Sequence, residues 1–106
     1  MTDKKIVLTT TGSEEQARSI ARALVERRLA ACVNILSPVE SVYRWKGKVE
    51  SDAEWLLLIK TTAEAFPRVR DAILELHSYE VPECILLSIE DGSADYLDWI
   101  ADSVNS

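Results

Sequence analysis

The side chains with the strongest metal-binding chemistry in this chain are one imidazole and one thiol. His77 is the only histidine among the 106 residues, and Cys32 lies in an apolar segment. Imidazole and thiolate are good ligands for copper and zinc, but a protein site usually needs three or four such ligands. Each residue also has a structural explanation, since a histidine suits the C-terminal end of a helix dipole and a lone cysteine is often a small buried hydrophobe. We treat His77 and Cys32 as metal-ligand candidates with these alternatives.

The motifs of familiar enzymes are missing. The sequence has no G-x-S-x-G, H-E-x-x-H, C-x-x-C, Walker or G-x-G-x-x-G pattern, and it contains only three glycines. A single histidine also offers no recognisable spacing for a base-activated serine or cysteine. We predict a protein that is not an enzyme and requires no cofactor.

Charge and hydropathy narrow the range of partners. Twelve basic residues against eighteen acidic ones give a net charge of −6, which would repel a phosphate backbone. No run approaches the ~20 apolar residues of a membrane span, and the first residues do not form a signal peptide. Cys32 and Cys84 lie too far apart for a zinc-type pair. These features predict a cytoplasmic protein with two free thiols that binds neither nucleic acid nor membranes.

The hydrophobic pattern predicts one α+β domain over residues 1–106. A composition of 47% hydrophobic and 28% charged residues is ordinary for a folded domain of this length. A first strand from Ile6 precedes a helix capped by Ser13, with Gln16 at the reciprocal position of a capping box. Five further elements are predicted: a strand over 31–45, a strand over 48–60, a helix from Thr61 to about His77, a strand over 84–89 and a helix after Ser93. The order β-α-β-β-α-β-α is typical of a ferredoxin-like sandwich, an antiparallel sheet with helices on one face.

The two central strands are too long for the domain that holds them. The strand over 48–60 alone would span ~40 Å at ~3.3 Å per residue, whereas a domain of this length is about 33 Å across. The hairpin, which turns at Lys46-Gly47, should therefore project and carry Tyr43, Trp45 and Trp55 with it. Exposed aromatic residues on an unpaired edge favour coverage by another chain. The alternative is that a bulge at Pro38 folds the hairpin back onto its own sheet.

Five motifs, taken in order, resemble the CutA family of divalent-cation tolerance proteins. They are Ala30-Ala31-Cys32-Val33-Asn34-Ile35, Tyr43-x-Trp45-x-Gly47, Ile59-Lys60-Thr61, His77-x-Tyr79-Glu80-Val81-Pro82-Glu83 and Tyr96-Leu97-x-Trp99. The likeness covers about residues 6 to 100. It implies a ferredoxin-like trimer similar in design to the PII signal-transduction proteins, with the long hairpins paired between subunits. It also implies an association with copper and other divalent cations.

The resemblance singles out five polar and aromatic residues: Tyr43, Trp45, Glu54, Lys60 and Tyr79. Aromatic walls with one lysine and one carboxylate would orient a small ligand in a cleft between subunits. The same residues would equally suit a subunit interface with an ion pair at its rim.

The chain departs from the family at positions that matter for copper. Thr9 stands where some copper-binding members have a cysteine, and Leu76 and His77 stand where they have two adjacent histidines. Ser78 replaces the usual proline, and Cys84 replaces an aliphatic residue. We therefore expect copper binding to be weak and to depend on His77.

Two functions remain open at this level. The first is a cytoplasmic homotrimer that binds divalent cations such as copper, or a small ligand, in clefts between subunits, with a signalling or buffering role. The second is a non-catalytic adaptor or scaffold trimer that docks a protein partner.

Overall fold

The computed structural model describes residues 2–104 and contains strands and helices in the predicted order. In chain order they are β1 (Lys4–Thr11), α1 (Glu14–Glu26), β2 (Cys32–Trp45), β3 (Lys48–Thr62), α2 (Phe66–Leu76), β4 (Ile85–Ser88) and α3 (Ala94–Ser103). The ends of the predicted domain, Met1 and residues 105–106, lie outside the described part of the chain.

The strands form one antiparallel sheet in the order β2-β3-β1-β4, and α1 and α2 pack against one face of it. Alternate residues of a strand point to the same face. Val7 of β1 and Ile59 of β3 are opposite one another and are fully buried against Ile20 and Leu24 of α1 and Ile73 of α2. The ferredoxin-like α+β sandwich predicted from the element order is confirmed.

The opposite face of the sheet is apolar but only partly covered. We call it the open face, and its residues are Ile6, Leu8, Leu56, Leu58, Ile85 and Leu87. On β4, Ile85 is 47% exposed and Leu87 is 44% exposed. At one end of this face, α3 places the Tyr96 ring over the Lys60 ammonium. Apolar sheet faces are ordinarily covered by a second layer, so the exposure of Ile85 and Leu87 is unusual.

The hairpin of β2 and β3 projects beyond the rest of the sheet, as predicted. Pairing between β1 and β3 ends at Trp55, so residues 48–54 pair with β2 alone. The molecule is 44 Å long and only 25 by 23 Å in cross-section. Trp55 is the exception to the prediction, because it pairs with Thr11 and packs against the core instead of being carried out by the hairpin.

Two irregularities shape the hairpin. The register shifts between Leu36 and Val39, which places the predicted bulge at Pro38 on β2, an edge strand. At the tip, Lys46 and Gly47 both have positive φ, 51° and 82°. Two positive φ values in succession are typical of the tight turn whose twist matches the flanking strands. The bulge does not fold the hairpin back onto its own sheet.

The second helix begins later than predicted. Thr61 and Thr62 are the last residues of β3, and both hydroxyls are engaged. Thr61 Oγ1 donates to the Leu29 carbonyl over 2.7 Å, and Thr62 Oγ1 accepts from the Ala65 N–H over 3.2 Å. The helix then starts at Phe66, with proline in its first turn, where no N–H donor is needed.

The capping box predicted for α1 is only half formed. Ser13 Oγ accepts a hydrogen bond from the Gln16 N–H over 3.1 Å, as expected. The Gln16 side chain, however, turns toward the segment after α2, where its Oε1 accepts from the Ser78 hydroxyl over 2.8 Å. The bond to Ser78 therefore takes the place of the reciprocal capping bond and connects α1 to the segment after α2.

The strand order separates the two thiols. Cys32 begins β2 at one edge of the sheet, and Cys84 directly precedes β4 at the other edge. Both cysteines are free. β4 is shorter than the predicted strand, so Cys84 lies in the irregular segment before it. Burial raises the pKa of the Cys84 thiol above its ordinary value.

Candidate functional site

A cavity of about 630 Å³ lies at the base of the hairpin. It is bounded by β2 and β3, by the end of β1 and by the segment that follows α2. The lining residues are Thr10, Ser41, Val42, Tyr43, Trp45, Glu54, Tyr79, Glu80, Val81 and Glu83. This volume is within the range of ordinary small-molecule sites.

Glu54 is the most deeply buried ionisable side chain of this lining, with only 8% of its surface exposed. It lies on β3 next to Trp55, where the support of β1 ends. The Tyr79 hydroxyl donates to Glu54 Oε2 over 2.7 Å. A buried carboxylate needs such a donor, because its lost hydration is otherwise uncompensated. Burial, and then the bond to Glu54, raises the pKa of Tyr79 above its ordinary value, so the phenol stays a donor.

His77 holds the backbone that presents Tyr79. It caps α2 through its N–H, which donates to the Ile73 carbonyl over 2.9 Å. Its ring Nδ1 accepts from the Tyr79 N–H over 3.1 Å, and Nε2 lies 2.7 Å from the Thr10 carbonyl oxygen. Since a carbonyl only accepts, Nε2 must carry the proton and donate it. The two rings also pack, with centroids 4.6 Å apart.

Gly12 makes room for Tyr79. A Cβ at this position would lie 3.0 Å from the Tyr79 hydroxyl oxygen, so the ring would have to shift by a few tenths of an ångström to admit it. The turn between β1 and α1 and the segment after α2 are therefore fitted to one another at this ring.

The electrostatic character of the cavity is negative. Glu54, Glu80 and Glu83 line it, and no lysine, arginine or histidine is among the described residues that do so. Burial raises the pKa of Glu83 above its ordinary value, and the nearby Glu54 carboxylate adds to that shift. A carboxylate whose ionisation is opposed by burial and by a nearby negative charge will favour a positively charged ligand.

Aromatic side chains form the outer wall. In the hairpin register, Tyr43 lies opposite Glu50 and Trp45 lies opposite Lys48, on the same face as Asp52 and Glu54. The Tyr43 hydroxyl donates to the Asp52 carboxylate, and this bond raises the pKa of Tyr43 to about 12. The Lys46 ammonium lies 5.7 Å from the centre of the Trp45 ring, within the range of a cation–π contact.

Four of the five ligand-binding candidates meet in this cavity. They are Tyr43, Trp45, Glu54 and Tyr79. Lys60 is the fifth and does not line it. It lies on the same face of β3 but about 20 Å further along the strand, at ~3.3 Å per residue, where it covers Tyr96. Within one chain, Lys60 therefore cannot pair with Glu54.

Two acidic lining residues, Glu80 and Glu83, were not singled out from the sequence. The motif His77-x-Tyr79-Glu80-Val81-Pro82-Glu83 contains both, so a signal was present. The motif does not indicate that this segment folds against the base of the hairpin. That position depends on the packing of α2 and on the hydrogen bonds of Gln16 and His77.

The two metal-ligand candidates are not brought together. His77 bonds to Thr10, whereas Cys32 is paired with Lys60, at the opposite end of β3 from Glu54. Both ring nitrogens of His77 are already engaged, so the ring would coordinate a metal only after giving up a hydrogen bond. Among residues 2–104, no group of three or more histidine, cysteine, aspartate or glutamate side chains is arranged to hold a metal ion.

The fold and the cavity together define a ferredoxin-like α+β protein with an acidic, aromatic-walled cavity under a projecting hairpin. The chain belongs to the CutA family, because the family model described as CutA1 divalent ion tolerance protein matches residues 5–103. The resemblance seen in the sequence motifs is confirmed.

Individual relatives agree with this assignment. The divalent-cation tolerance protein CutA of Thermus thermophilus is 52% identical over 100 residues, which cover 94% of this chain and 97% of that protein. Human protein CutA is 48% identical over 88 residues, which cover 83% of this chain and 49% of the human protein. This chain thus spans about half the length of the human relative.

Solved structures show the same fold. The divalent cation tolerance protein (Cut A1) of Thermus thermophilus has a TM-score of 0.94 and 51% identity, over 96% of this chain and 99% of that one. A protein of Archaeoglobus fulgidus described as the periplasmic divalent cation tolerance protein CutA has a TM-score of 0.93 and 40% identity, over 96% and 99% of the two chains. In the described part of this chain, no helix has the length and apolar character needed to cross a membrane. Because one relative is described as periplasmic, the cytoplasmic location of this chain stays a prediction.

Proposed function

We propose that this protein is a homotrimer that binds a positively charged ligand in the cavity at the base of its hairpin, and that it buffers or signals the level of that ligand. The observation that carries the proposal is the burial of Glu54 in a cavity that Glu83 also lines, and whose described lining has no basic side chain. A buried carboxylate with a second, partly buried carboxylate in the same cavity is stabilised by a cation.

Divalent cations are the first ligands to test, because the family is described by its tolerance of divalent ions. Carboxylate oxygens such as those of Glu54 and Glu83 prefer harder ions, whereas copper prefers imidazole and thiolate. Copper binding would accordingly involve His77 or Cys32, and we propose that it is weak.

The trimer is supported by three features of the structure. The open face leaves Ile85 and Leu87 about half exposed, the hairpin stands clear of its own sheet, and both edge strands are free within the described chain. An obligate interface that covers such surfaces usually buries more than ~2,000 Å² in total. If neighbouring hairpins extend over the cavity, the ligand lies between subunits.

The assembly is tested by light scattering on a size-exclusion column. We expect about three times the mass of one chain. Leu87→Lys should reduce that mass, because a charge on the open face is tolerated in a single chain but not in an interface. Lys5→Leu, in the neighbouring strand, changes charge in the opposite direction and serves as the comparison. A monodisperse monomer at low micromolar concentration would contradict the trimer.

The ligand is tested by calorimetry with Mg²⁺, Mn²⁺ and Cu²⁺ on the wild type and Glu54→Gln. Loss of the buried carboxylate should weaken cation binding by at least about tenfold, as expected for a charged hydrogen-bonding partner. Glu26→Gln, an exposed glutamate at the end of α1, is the matched control and should bind as the wild type does. Equal affinity in all three proteins would leave only diffuse attraction to the acidic surface.

We also propose that the protein is cytoplasmic and not an enzyme. Two free thiols at opposite edges of the sheet suit a reducing compartment. A non-catalytic adaptor is the second candidate function, and it is favoured by the exposure of Val49 and Val81, which are 64% and 67% exposed. Stoichiometric capture of one protein partner, with no response to any cation, would favour the adaptor.

A further inference from the structure

The walls of the cavity are aromatic rather than rich in metal ligands. We propose that its preferred ligand is an organic cation, an ammonium or guanidinium group on a short aliphatic chain, rather than a bare metal ion. This inference rests on the proposed function, since it names the kind of cation that the same cavity binds.

The charge of the site comes first. Glu54 is only 8% exposed, and the Tyr79 hydroxyl donates a hydrogen bond to its carboxylate. Glu83 lines the same cavity, and the negative charge of Glu54 opposes the ionisation of Glu83. A neutral ligand would leave that repulsion in place, whereas a cation between the two side chains would remove it.

The ligand set argues against a metal ion. Hard divalent ions take six or more oxygen ligands or keep much of their water. Within residues 2–104, no cluster of three acidic, histidine or cysteine side chains converges as a metal site requires. A space of about 630 Å³ is also far larger than a single ion fills, but it suits a small organic molecule.

The aromatic residues supply the remaining recognition. Tyr43, Trp45 and Tyr79 all line the cavity. Organic cations are attracted to aromatic faces, and more strongly where water is excluded. The chain itself shows this geometry at the rim, where the ammonium of Lys46 lies 5.7 Å from the centre of the Trp45 ring. The aliphatic part of a ligand would cover apolar surface such as Val42 and Val81.

The test compares probes of equal charge. Calorimetry at low ionic strength, repeated at about 150 mM salt to screen diffuse attraction, would use 1,4-diaminobutane, which carries two positive charges, and Mg²⁺ and Cu²⁺, which carry the same charge. The uncharged 1,4-butanediol is the control for shape. We expect the diamine to bind at least about tenfold more tightly than Mg²⁺, and the diol not to bind.

Three variants locate the binding. Glu54→Gln should weaken diamine binding by at least about tenfold. Trp45→Leu should weaken it about two- to fivefold, as expected for one cation–π contact. Trp99→Leu removes a similarly exposed indole on α3, away from the cavity, and should change nothing. Circular dichroism and the mass of the assembly check that each variant is folded.

Each result bears on a definite claim. Binding of Mg²⁺ or Cu²⁺ that depends on Glu54, without binding of the diamine, would overturn this inference and leave the proposed function standing. Absence of binding by all the cations would overturn both. Diamine affinity that is unchanged in Trp45→Leu, or lowered equally in Trp99→Leu, would overturn the aromatic site.

Discussion

The Tyr79 hydroxyl donates a hydrogen bond to Glu54 Oε2 over 2.7 Å, and this contact joins the segment after α2 to the base of the hairpin. Glu54 is the first residue of β3 beyond the stretch that pairs with β1. The Tyr79 phenol therefore anchors the hairpin at the point where β3 is no longer paired with β1. The same bond orients the most buried carboxylate of the cavity.

Removal of this hydroxyl should destabilise the protein. For Tyr79→Phe we expect the free energy of unfolding to fall by about 1–2 kcal/mol, because a buried carboxylate loses a donor while the ring itself is partly exposed. Urea unfolding at one fixed protein concentration measures the change, since assembly makes stability depend on concentration. Tyr96→Phe on α3 is the matched control and should be nearly neutral. An equal loss in both variants would mean that the Glu54 contact contributes nothing specific.

Cation binding should weaken in acid because of Glu83. Its pKa is raised in the folded protein, so the folded state holds this proton more tightly than the unfolded state does. Ionisation of Glu83 therefore lowers stability as the pH rises from its ordinary value of 4.5 through the raised pKa, and a bound cation offsets that cost. Affinity measured by calorimetry between about pH 4.5 and 7 should increase with pH. Glu83→Gln should flatten the profile, and an unchanged profile in that variant would assign the pH dependence to another group.

Copper binding should be micromolar or weaker and should depend on His77. The chain has no other imidazole, yet this ring already donates to Thr10 and accepts from Tyr79. Coordination must displace one of these bonds, which lowers the net affinity. Calorimetry on His77→Ala should find the copper affinity abolished, and Cys32→Ser tests the second candidate. Equal affinity in the wild type and His77→Ala would remove this histidine from the site.

The hairpin turn should be more sensitive to substitution at Gly47 than at Lys46. Gly47 has a φ of 82°, and a Cβ added there would have no atom within 4 Å. Any effect of Gly47→Ala on stability is therefore due to backbone strain. We expect a loss of about 1 kcal/mol. Lys46 has a φ of 51°, so Lys46→Gly relieves strain in the folded state but raises the backbone entropy of the unfolded chain. Because these effects oppose each other, the free energy of unfolding should change by less than about 0.5 kcal/mol. Thermal and urea unfolding measure both, and a larger loss in Lys46→Gly would refute the assigned turn.

The layer between the sheet and its helices should be the most sensitive part of the fold. Leu57 is fully buried on the helix-covered face of β3, and Leu57→Ala should cost about 2–5 kcal/mol. Leu74 on α2 is 52% exposed, and Leu74→Ala should cost less than about 1 kcal/mol. Urea midpoints give the comparison. Similar losses at the two positions would contradict the assignment of faces.

Most of the fold follows from local patterns. Helix α1 was predicted because Ser13 and the apolar spacing behind it act within a few residues, and the hairpin was predicted because Lys46-Gly47 is a strong turn signal between extended runs. The boundaries of α2 and β4 were less accurate. The hydroxyls of Thr61 and Thr62 resemble helix-capping groups in sequence, but pairing with Lys5 and Lys4 of β1 places both residues at the end of β3.

The sequence by itself determined the element order and the excess length of the hairpin. The family resemblance singled out five candidate ligand residues, four of which line one cavity. Only the tertiary structure decided which charged groups meet. Glu54 and Lys60 lie on one face of the same strand, yet the rise of an extended chain keeps them apart. Glu83 comes from a segment far along the chain, yet it lines the same cavity as Glu54. That position depends on strand register, on the packing of α2 and on the hydrogen bonds of Gln16 and His77. Such contacts join residues that are distant in sequence, so no local pattern encodes them.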